Sequence, residues 1–511
     1  MISAARRLLP FVIALLGYSS AYLHMRPLAT GDEPHYVLYG YSIAFDHDLD
    51  LANNYDRTTI QTYFPYFQTL DRHTHQWRGD GAEHSTHFPG LAVLIAPVLR
   101  AGGGIGAVRA LMILLSALLA QQLYRLLDAS GLGRPVLVWL AWSATVFSLP
   151  LVVYSGQIYP ELPACLVLVT TVGWLLAERP TRRAVMWIAC GAAVLPWLHV
   201  RYAVFSGGLM LCLGYRITQS DGLGAFVFRL RDRSAIRRLW PLLLPAGSLA
   251  AMLLLCHRLY GGFTPLAMYA PEMSGVAPWT LEIGDRHGLG AFFSPMVGWL
   301  PFAPVHWLAL AGFLALLSKM PRAALPVVLS LAAYLALVAG PVSAGYSLPA
   351  RYVIVILPLA AVPLLLVFES CPGLLRAGVP LFVLSLALTV VGVRNHRLLY
   401  PDRHRGVVLP IASQLQSIWP DFGSDARSRP TEMIAGLAHD PEANPVQAEW
   451  WNRFLPSWPK TLLWLALTGV ANIRIVRGLR TAAAKRQPEI AAALLPARFR
   501  GADRVVNAPM G

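Results

Sequence analysis

The feature that most constrains this chain is a series of long apolar runs, repeated from one end of the sequence to the other. The hydrocarbon core of a bilayer is about 30 Å thick, so a helix that crosses it needs roughly 17–25 mostly apolar residues. The sequence therefore predicts an all-α polytopic integral membrane protein. The runs fit about 12 spans, near 8–23, 105–126, 135–153, 161–178, 184–200, 202–217, 240–258, 296–317, 323–340, 352–369, 374–393 and 461–477.

Composition agrees with a membrane protein and argues against nucleic-acid binding. Only 14% of the 511 residues are charged and 56% are apolar, whereas about 25% of residues are charged in soluble domains. The net charge of +15 comes from short basic clusters between apolar runs, with no basic face that contains interleaved aromatic residues. The five cysteines lie within or at the ends of apolar runs, so the sequence predicts neither a disulfide framework nor a cysteine metal site.

Lysine and arginine are concentrated in alternate connections between the runs. Arg6 and Arg7 precede the first run, and every second connection after it is basic, while the connection at 155–160 has no basic residue. Because cytoplasmic connections carry an excess of Lys and Arg, the pattern predicts a multi-pass protein of a bacterial inner membrane with both termini in the cytoplasm. The segments 24–104, 259–295 and 394–460 would then lie outside.

These patterns divide the chain. The predicted units are a membrane domain over 1–395 with a first outer loop at 24–104, an outer segment at 396–460, a last span at 461–480 and a cytoplasmic tail at 481–511. The run at 88–100 is short for a span and predicts a half-span or interfacial helix. Residues 1–23 fit either a cleaved signal peptide or a retained first span. The retained span is favoured, because the residues directly after it are the richest in chemical groups.

Two adjacent carboxylates, Asp32 and Glu33, follow the first span in the sequence Thr30-Gly31-Asp32-Glu33-Pro34-His35-Tyr36. Carboxylates beside lipid need partners or water. One interpretation is structural: Asp32 caps a helix that has Pro34 in its first turn, and Glu33 favours the helix dipole. That interpretation does not account for the further acidic and amide residues between Asp46 and Asp56. The stretch is therefore also a candidate functional site.

The position of this pair resembles that of the C-type glycosyltransferases, which include the protein O-mannosyltransferases and the aminoarabinose transferases of lipid A. Those proteins have an Asp-Glu pair after the first span, opening an interfacial helix in a long outer loop. Four further segments resemble the family in order and predicted side, and the resemblance covers 1–395. They are His-Phe-Pro-Gly-Leu at 87–91, Gln-Ile-Tyr-Pro-Glu at 157–161, Trp-Leu-His-Val-Arg-Tyr at 197–202 and Gly-Tyr-Ser-Leu-Pro-Ala-Arg-Tyr at 345–352.

The resemblance implies transfer of a sugar from a polyprenyl-phosphate donor to a hydroxyl group of a lipid, glycan or protein acceptor. Such transfer needs a carboxylate that accepts the hydroxyl proton and cations that stabilise the departing phosphate. Asp32 is the predicted general base and Glu33 the second catalytic candidate. The predicted phosphate contacts are Arg201, Arg351, His87 and Arg258, although arginines at span ends also snorkel to the interface. Relatives often have lysine in place of His87, so a lysine-specific role is not implied here.

The remaining candidates are weaker. Predicted acceptor or substrate contacts are His35, Tyr36, Glu161 and His199, and Glu161 is equally well explained as a partner of a helix dipole. Glu83 and His84 are metal candidates, since carboxylate and imidazole bind divalent metals. Their spacing matches no compact metal motif, which favours solvated loop histidines, and the sequence implies no certain cofactor.

Two other functions stay open at this stage. A transporter or flippase of lipid-linked sugars should show interrupted spans with polar groups near the bilayer centre, whereas the charges here gather at span ends. A non-catalytic scaffold gives no reason for two carboxylates beside several outer arginines. Because no glycine-rich loop follows a strand, the donor is expected to be linked to lipid rather than to a nucleotide.

Overall fold

The computed structural model describes residues 2–76, 81–176, 181–220, 222–264, 267–268, 292, 298–319, 325–338, 348–395 and 399, with isolated positions at 466, 470, 473–474 and 477. The predicted outer segment at 396–460, the last span and the tail therefore lie outside the described residues, apart from these single positions. So do most of 259–295 and residues 345–347 of the Arg-Tyr segment.

The described chain is helical, with one short hairpin of strands. The helices are α1 (Ile2–Met25), α2 (Glu33–Tyr41), α3 (Arg57–Tyr63), α4 (Pro89–Arg100), α5 (Ile105–Ala129), α6 (Pro135–Val146), α7 (Leu149–Tyr154), α8 (Glu161–Leu176), α9 (Arg182–Leu198), α10 (Ala203–Thr218), α11 (Leu223–Arg229), α12 (Arg233–Arg238), α13 (Leu243–Tyr260), α14 (Trp307–Lys319), α15 (Leu325–Val338), α16 (Ala361–Ser370) and α17 (Pro372–Arg394). The strands β1 (Thr74–His75) and β2 (His84–Ser85) pair antiparallel.

Four helical segments of the described chain are long and apolar enough to cross a membrane: Leu8–Met25, Ile105–Ala129, Trp240–Tyr260 and Pro372–Arg394. Six shorter apolar helices accompany them. The prediction of an all-α chain with membrane-spanning helices is therefore confirmed in this coarse form, while the number of about 12 spans stays a prediction.

Some predicted spans are interrupted. The run at 135–153 forms two helices, because Phe147 and Ser148 separate α6 from α7. Pro150 lies in the first turn of α7, and the residue before a proline is disfavoured in the α conformation. Similarly, two short 3-10 turns, Arg351–Val353 and Leu357–Ala360, precede α16. These interruptions place non-helical backbone where the sequence predicts continuous spans.

The long helices pack into one continuous apolar core. Helix α5 packs against α1, α6 and α8, α9 packs against α8, α10 and α13, and α16 packs against α6 and α14. The indole nitrogen of the buried Trp142 donates a hydrogen bond to the carbonyl oxygen of Ala120 at 2.8 Å, which joins α6 to α5. The segment between α1 and α5 packs against this core.

The segment between α1 and α5 contains α2, a π-helical turn at Ser42–Asp46, α3, the hairpin and α4. Helix α2 packs on α4, and a Cβ at Gly40 would meet the side chain of Ile95 at 2.9 Å. Gly90, at the start of α4, lies so close to α9 that a Cβ would meet the carbonyl oxygen of Trp197 at 2.5 Å. Because these glycines have no side chain, α2 can pack closely on α4, and α4 can approach the end of α9.

Candidate functional site

Asp32 occupies the N-cap position directly before α2, but its side chain does not cap the helix. Within the described residues its carboxylate accepts no hydrogen bond from the backbone of α2, which corrects the expectation that Asp32 caps this helix. The preceding Gly31 has a positive φ of 58°, which turns the chain sharply after α1. The carboxylate of Asp32 instead forms an ion pair with the guanidinium of Arg351. Asp32 is thus available for chemistry.

Arg351 lies between two carboxylates. Besides Asp32, its Nε lies 3.2 Å from Oε1 of Glu161, whose side chain is completely buried. Its guanidinium also lies over the ring of Tyr159, 4.3 Å from the ring centroid. The preceding residue, Ala350, has a φ of 64°, a left-handed conformation that costs an alanine about 1–2 kcal/mol. Strain of this kind clusters at functional sites, and here it turns the backbone directly before Arg351.

The electrostatic environment keeps Asp32 ionised. Burial by itself would raise the pKa of this carboxyl, but the charge of Arg351 and its hydrogen bond to the carboxylate outweigh burial and hold the pKa well below its ordinary value. A carboxylate with so low a pKa is a poor proton acceptor. Asp32 can therefore become an effective base only when the charge of Arg351 is engaged elsewhere.

Glu33, the adjacent carboxylate, has a different environment. Its side chain is fully buried and pairs at 3.4 Å with Arg109, whose side chain is 2% exposed. The backbone N–H groups of Ile158 and Thr30 donate to its two oxygens at 2.8 and 3.0 Å. With its amide turned so that the nitrogen faces Glu33, Gln157 donates to both oxygens as well. Burial raises the pKa of Glu33, against the opposing effect of Arg109.

These contacts favour an anchoring role for Glu33. It joins the start of α2 to α5 through Arg109 and to the connection before α8 through Ile158. The predicted catalytic role of Glu33 stays a prediction that its contacts do not support, since both oxygens are engaged by buried donors.

Arg201 lies in the short 3-10 turn that follows α9, where the backbone leaves the helix at His199. Its guanidinium lies 4.6 Å from the ring centroid of Tyr352, the neighbour of Arg351. Its charge interacts with that of Glu161, yet in the part of the chain that the structure describes no carboxylate lies within ion-pair distance. Its buried Nε has no hydrogen-bond partner among the described residues. Such a donor is costly to leave unsatisfied.

Oε2 of Glu161 and the hydroxyl group of Tyr202 are further buried polar atoms that have no hydrogen-bond partner among the described residues. Buried polar groups in folded proteins are almost always hydrogen-bonded. Together with Nε of Arg201, these atoms indicate a place where a polar ligand or water would complete the structure. The predicted contact His199 accepts a hydrogen bond from the backbone N–H of Arg201 through Nδ1 at 3.3 Å and so helps to form this turn.

Three histidines of the segment between α1 and α5 lie close to Asp32. His35 stacks on His73 with ring centroids 3.7 Å apart, and Nδ1 of His73 lies 3.1 Å from Nε2 of His87. Tyr36 is buried with its ring centroid 4.8 Å from that of His87. Burial lowers the pKa of His87 to about 4, although the charge of Asp32 opposes this change. The predicted residues His35, Tyr36 and His87 thus share one cluster with Asp32.

The other predicted residues lie elsewhere. Glu83 binds Arg72 at 2.5 Å and Thr74 at 2.7 Å on the hairpin, and Nδ1 of His84 lies 3.1 Å from the carbonyl oxygen of Leu49. Neither belongs to the histidine cluster. Arg258 is exposed near the end of α13, and among the described residues no hydrogen bond or ion pair joins it to Asp32 or to Arg351.

The structure adds three residues that the sequence did not single out as site residues: Arg109, Tyr159 and His73. Arg109 had a detectable signal, because it is an arginine within a predicted span, where charge is costly and marks a partner or a function. Tyr159 donates a hydrogen bond to the carbonyl oxygen of Thr30 at 2.9 Å, a contact between distant segments that the sequence does not indicate.

Comparisons with protein-family models, with curated proteins and with solved structures found no match to this chain. The site therefore has to be interpreted from its own geometry. That geometry consists of a non-capping carboxylate, two arginines on different helical segments, unsatisfied buried polar atoms and a cluster of histidines.

Proposed function

We propose that this chain is a membrane glycosyltransferase that moves a sugar from a polyprenyl-phosphate donor to a hydroxyl acceptor on a lipid, glycan or protein at the extracytoplasmic face. The observation that supports this most is the contact between Asp32 and Arg351, which brings a carboxylate that does not cap its helix and a cation together from opposite parts of the sequence. Transfer from a phosphate needs these two groups in one place.

In this proposal the donor phosphate and Asp32 compete for Arg351. When the phosphate binds the guanidinium, Asp32 loses the partner that lowers its pKa, and its affinity for a proton rises. The acceptor hydroxyl can then donate its proton to the carboxylate while its oxygen attacks the sugar and the bond to the phosphate oxygen breaks. Glu161 keeps its contact with Arg351 at 3.2 Å and so holds the guanidinium in place during the exchange.

Arg201 is the second proposed phosphate contact. A planar guanidinium matches the geometry of a phosphate and binds it through two N–H donors. Its Nε is buried without a hydrogen-bond partner among the described residues, and its guanidinium lies beside Tyr352, the neighbour of Arg351. Arg201 could therefore donate a hydrogen bond to a phosphate that is bound at Arg351. His87, another predicted phosphate contact, belongs to the histidine cluster. Because burial lowers its pKa to about 4, it would contribute a hydrogen bond rather than a charge.

The proposal includes a location in a bacterial inner membrane with both termini in the cytoplasm and the first outer loop outside. Cysteine substitutions test this arrangement. We expect a cysteine at Asn53, in the outer segment, to react with an impermeant thiol reagent in intact cells, and a cysteine at Ser234, in the basic helix α12, to react only after the cells are opened. The reverse pattern would invert the topology.

A flippase of lipid-linked sugars is the second candidate, because transporters commonly contain broken helices. The interruption between α6 and α7 and the 3-10 turns before α16 are features of this type. A flippase would bind the same donor but leave the bond between sugar and phosphate intact. Release of sugar from a labelled donor in proteoliposomes therefore distinguishes the two functions.

The decisive substitution is Asp32→Asn, measured as transfer of labelled sugar by membranes that contain the full-length protein. We expect a loss of about 10²–10⁴-fold in rate, the usual contribution of a general base. Asp56→Asn is the matched control, since Asp56 caps α3 by accepting hydrogen bonds from the backbone of Thr58 and Thr59, and asparagine caps nearly as well. Equal activity of the two variants would remove Asp32 from the mechanism.

A further inference from the structure

The cluster of Asp32, His73 and His87 has the composition and the dimensions of a metal site. One potential ligand atom from each residue lies within 4.8 Å of those of the other two. All three side chains are half-buried, so a bound cation would be held by the protein and would still have an open coordination position. Carboxylate oxygen and imidazole nitrogen are the ligands that catalytic zinc sites combine.

The distance between the two imidazoles agrees with this interpretation. Zinc binds histidine nitrogen at about 2.0–2.1 Å in tetrahedral geometry, which puts two nitrogen ligands roughly 3.3–3.4 Å apart. Nδ1 of His73 and Nε2 of His87 lie 3.1 Å apart, so a small movement would accommodate the ion. The alternative is a direct hydrogen bond between the two imidazoles, in which one of these nitrogens donates to the other.

The surrounding contacts fix the backbone at both histidines and stack one ring against a neighbour. The carbonyl oxygen of His73 accepts hydrogen bonds from the backbone N–H and the hydroxyl group of Thr86 at 2.9 and 3.2 Å. The backbone N–H of His87 donates to Oγ of Ser85 at 3.0 Å. His35 stacks on His73 and is itself fixed by a 2.8 Å hydrogen bond between Nδ1 and the hydroxyl group of Tyr55. These contacts position both histidines, one on each side of the two paired strands, beside Asp32.

The carboxylate is also compatible with a cation. Arg351 holds Oδ2 of Asp32, and among the described residues no hydrogen bond engages the second oxygen of the carboxylate. The nearby positive charge of Arg351 is offset by its second partner, Glu161. The charges in this region thus do not exclude a divalent ion.

We propose that Asp32, His73 and His87 bind one divalent transition-metal ion of the zinc type, with an open position for a ligand. This site replaces the pair Glu83 and His84 as the candidate metal centre, because those two residues are engaged with Arg72, Thr74 and Leu49. Metal binding is a property of the protein itself and does not depend on the proposed transfer.

The test uses the full-length protein, purified in detergent without a histidine tag and freed of metal with a chelator. Zinc is added and the bound zinc per protein is measured, and cobalt(II) is added separately to report tetrahedral coordination by its visible absorption. We expect one zinc ion per protein, and we expect His73→Gln and His87→Gln each to weaken binding by more than about 10-fold, the lower limit for loss of even an outer-shell group. His84→Gln, on the same hairpin, should bind as the wild type does.

The outcomes separate the proposal from its alternatives. Failure of the wild type to bind zinc, or equal binding by His73→Gln and wild type, would overturn the metal site and leave a hydrogen-bonded pair of imidazoles. If the variants of His73 and His87 do not fold, zinc should still raise the unfolding temperature of the wild type and of His84→Gln alike, since a ligand of the folded state stabilises it. A rise in the wild type that His84→Gln abolishes would contradict the assignment. No donor is present in these measurements, so their failure is distinguishable from failure of the transferase proposal.

Discussion

Asp32 and Glu33 are chemically similar neighbours, yet their environments differ in almost every respect. Glu33 is fully buried and contacts Arg109 and two backbone N–H groups. Asp32 has a side chain that is 22% exposed and contacts Arg351. Successive residues of a helix point about 100° apart, so at the start of α2 one carboxylate faces the helical core and the other faces the half-open site.

Two adjacent acidic residues thus lie in two different environments, one fully buried and one half-exposed. A buried ion pair rarely adds much net stability over an apolar pair, but removal of one partner leaves a charge that is costly. Glu33 and Arg109 therefore fix where α2 begins, and this in turn determines where Asp32 lies. Asp32 is also paired with an arginine but is half-exposed. In the proposed mechanism its protonation depends on what Arg351 binds.

The largest effect that we expect concerns the buried pair. Arg109→Met should lower the free energy of unfolding by about 3–5 kcal/mol, because Glu33 would lose its partner. Burial raises the pKa of Glu33, so this residue can take up a proton when Arg109 is absent, and we expect the lower end of that range. Arg134→Met is the matched control. Arg134 pairs with Glu369 at 3.3 Å but is 71% exposed, so its loss should cost less than about 1 kcal/mol. Chemical denaturation in detergent measures both.

The double variant Glu33→Gln with Arg109→Met sharpens this test. Removal of both charges should restore a large part of the stability that Arg109→Met loses, because no unpaired charge remains. Equal stability of the single and double variants would mean that the pair does not act as a unit.

A somewhat smaller effect is expected at the open pair. Arg351→Ala should reduce transfer by about 10²–10³-fold, comparable to the loss of one group that stabilises developing negative charge. Because the substitution also leaves the completely buried Glu161 without its partner, it should lower the free energy of unfolding as well, so transfer is compared per folded protein. Arg351→Lys should restore only part of the activity, since an ammonium lacks the planar pair of donors. Arg72→Ala provides the control, because Arg72 pairs with Glu83 on the outer hairpin. Normal transfer by both Arg351→Ala and Arg201→Ala would exclude phosphate binding by these arginines.

The smallest effect is a pH dependence of stability. The pKa of His87 is lowered to about 4 in the folded protein, against about 6.5 in the unfolded chain, so the unfolded chain binds more protons between these values. The stability contributed by neutral His87 is therefore complete above about pH 6.5 and is lost as the pH falls toward 4. Asp32 remains ionised throughout this window, because its pKa is held well below its ordinary value.

The measurement is the unfolding temperature of the metal-free protein from pH 7.5 to 4, for the wild type and for His87→Gln. We expect the wild type to lose more stability than the variant over this range. A steeper fall in His87→Gln would show that the histidine is stabilised by its charge, contrary to its position in the site.

Much of the helical architecture could be predicted from the sequence. Apolar runs indicated the positions of α1, α5, α13 and α17, since the length and hydropathy of a segment are local properties. The interruption at Ser148 was missed. A proline within an apolar run signals a possible break, but whether the helix continues across it depends on the groups that pack around the freed backbone.

The helical class and the position of Asp32 and Glu33 directly after the first apolar run could be read from the sequence alone. Which arginine each carboxylate contacts, and how deeply each is buried, follows only from the tertiary packing. The pairing of Asp32 with Arg351 joins residues 319 positions apart, and that of Glu33 with Arg109 joins residues 76 positions apart. The physical reason is that pairing and desolvation depend on which helices pack together, and that packing brings His73, His87 and Asp32 to one place although no local spacing relates them.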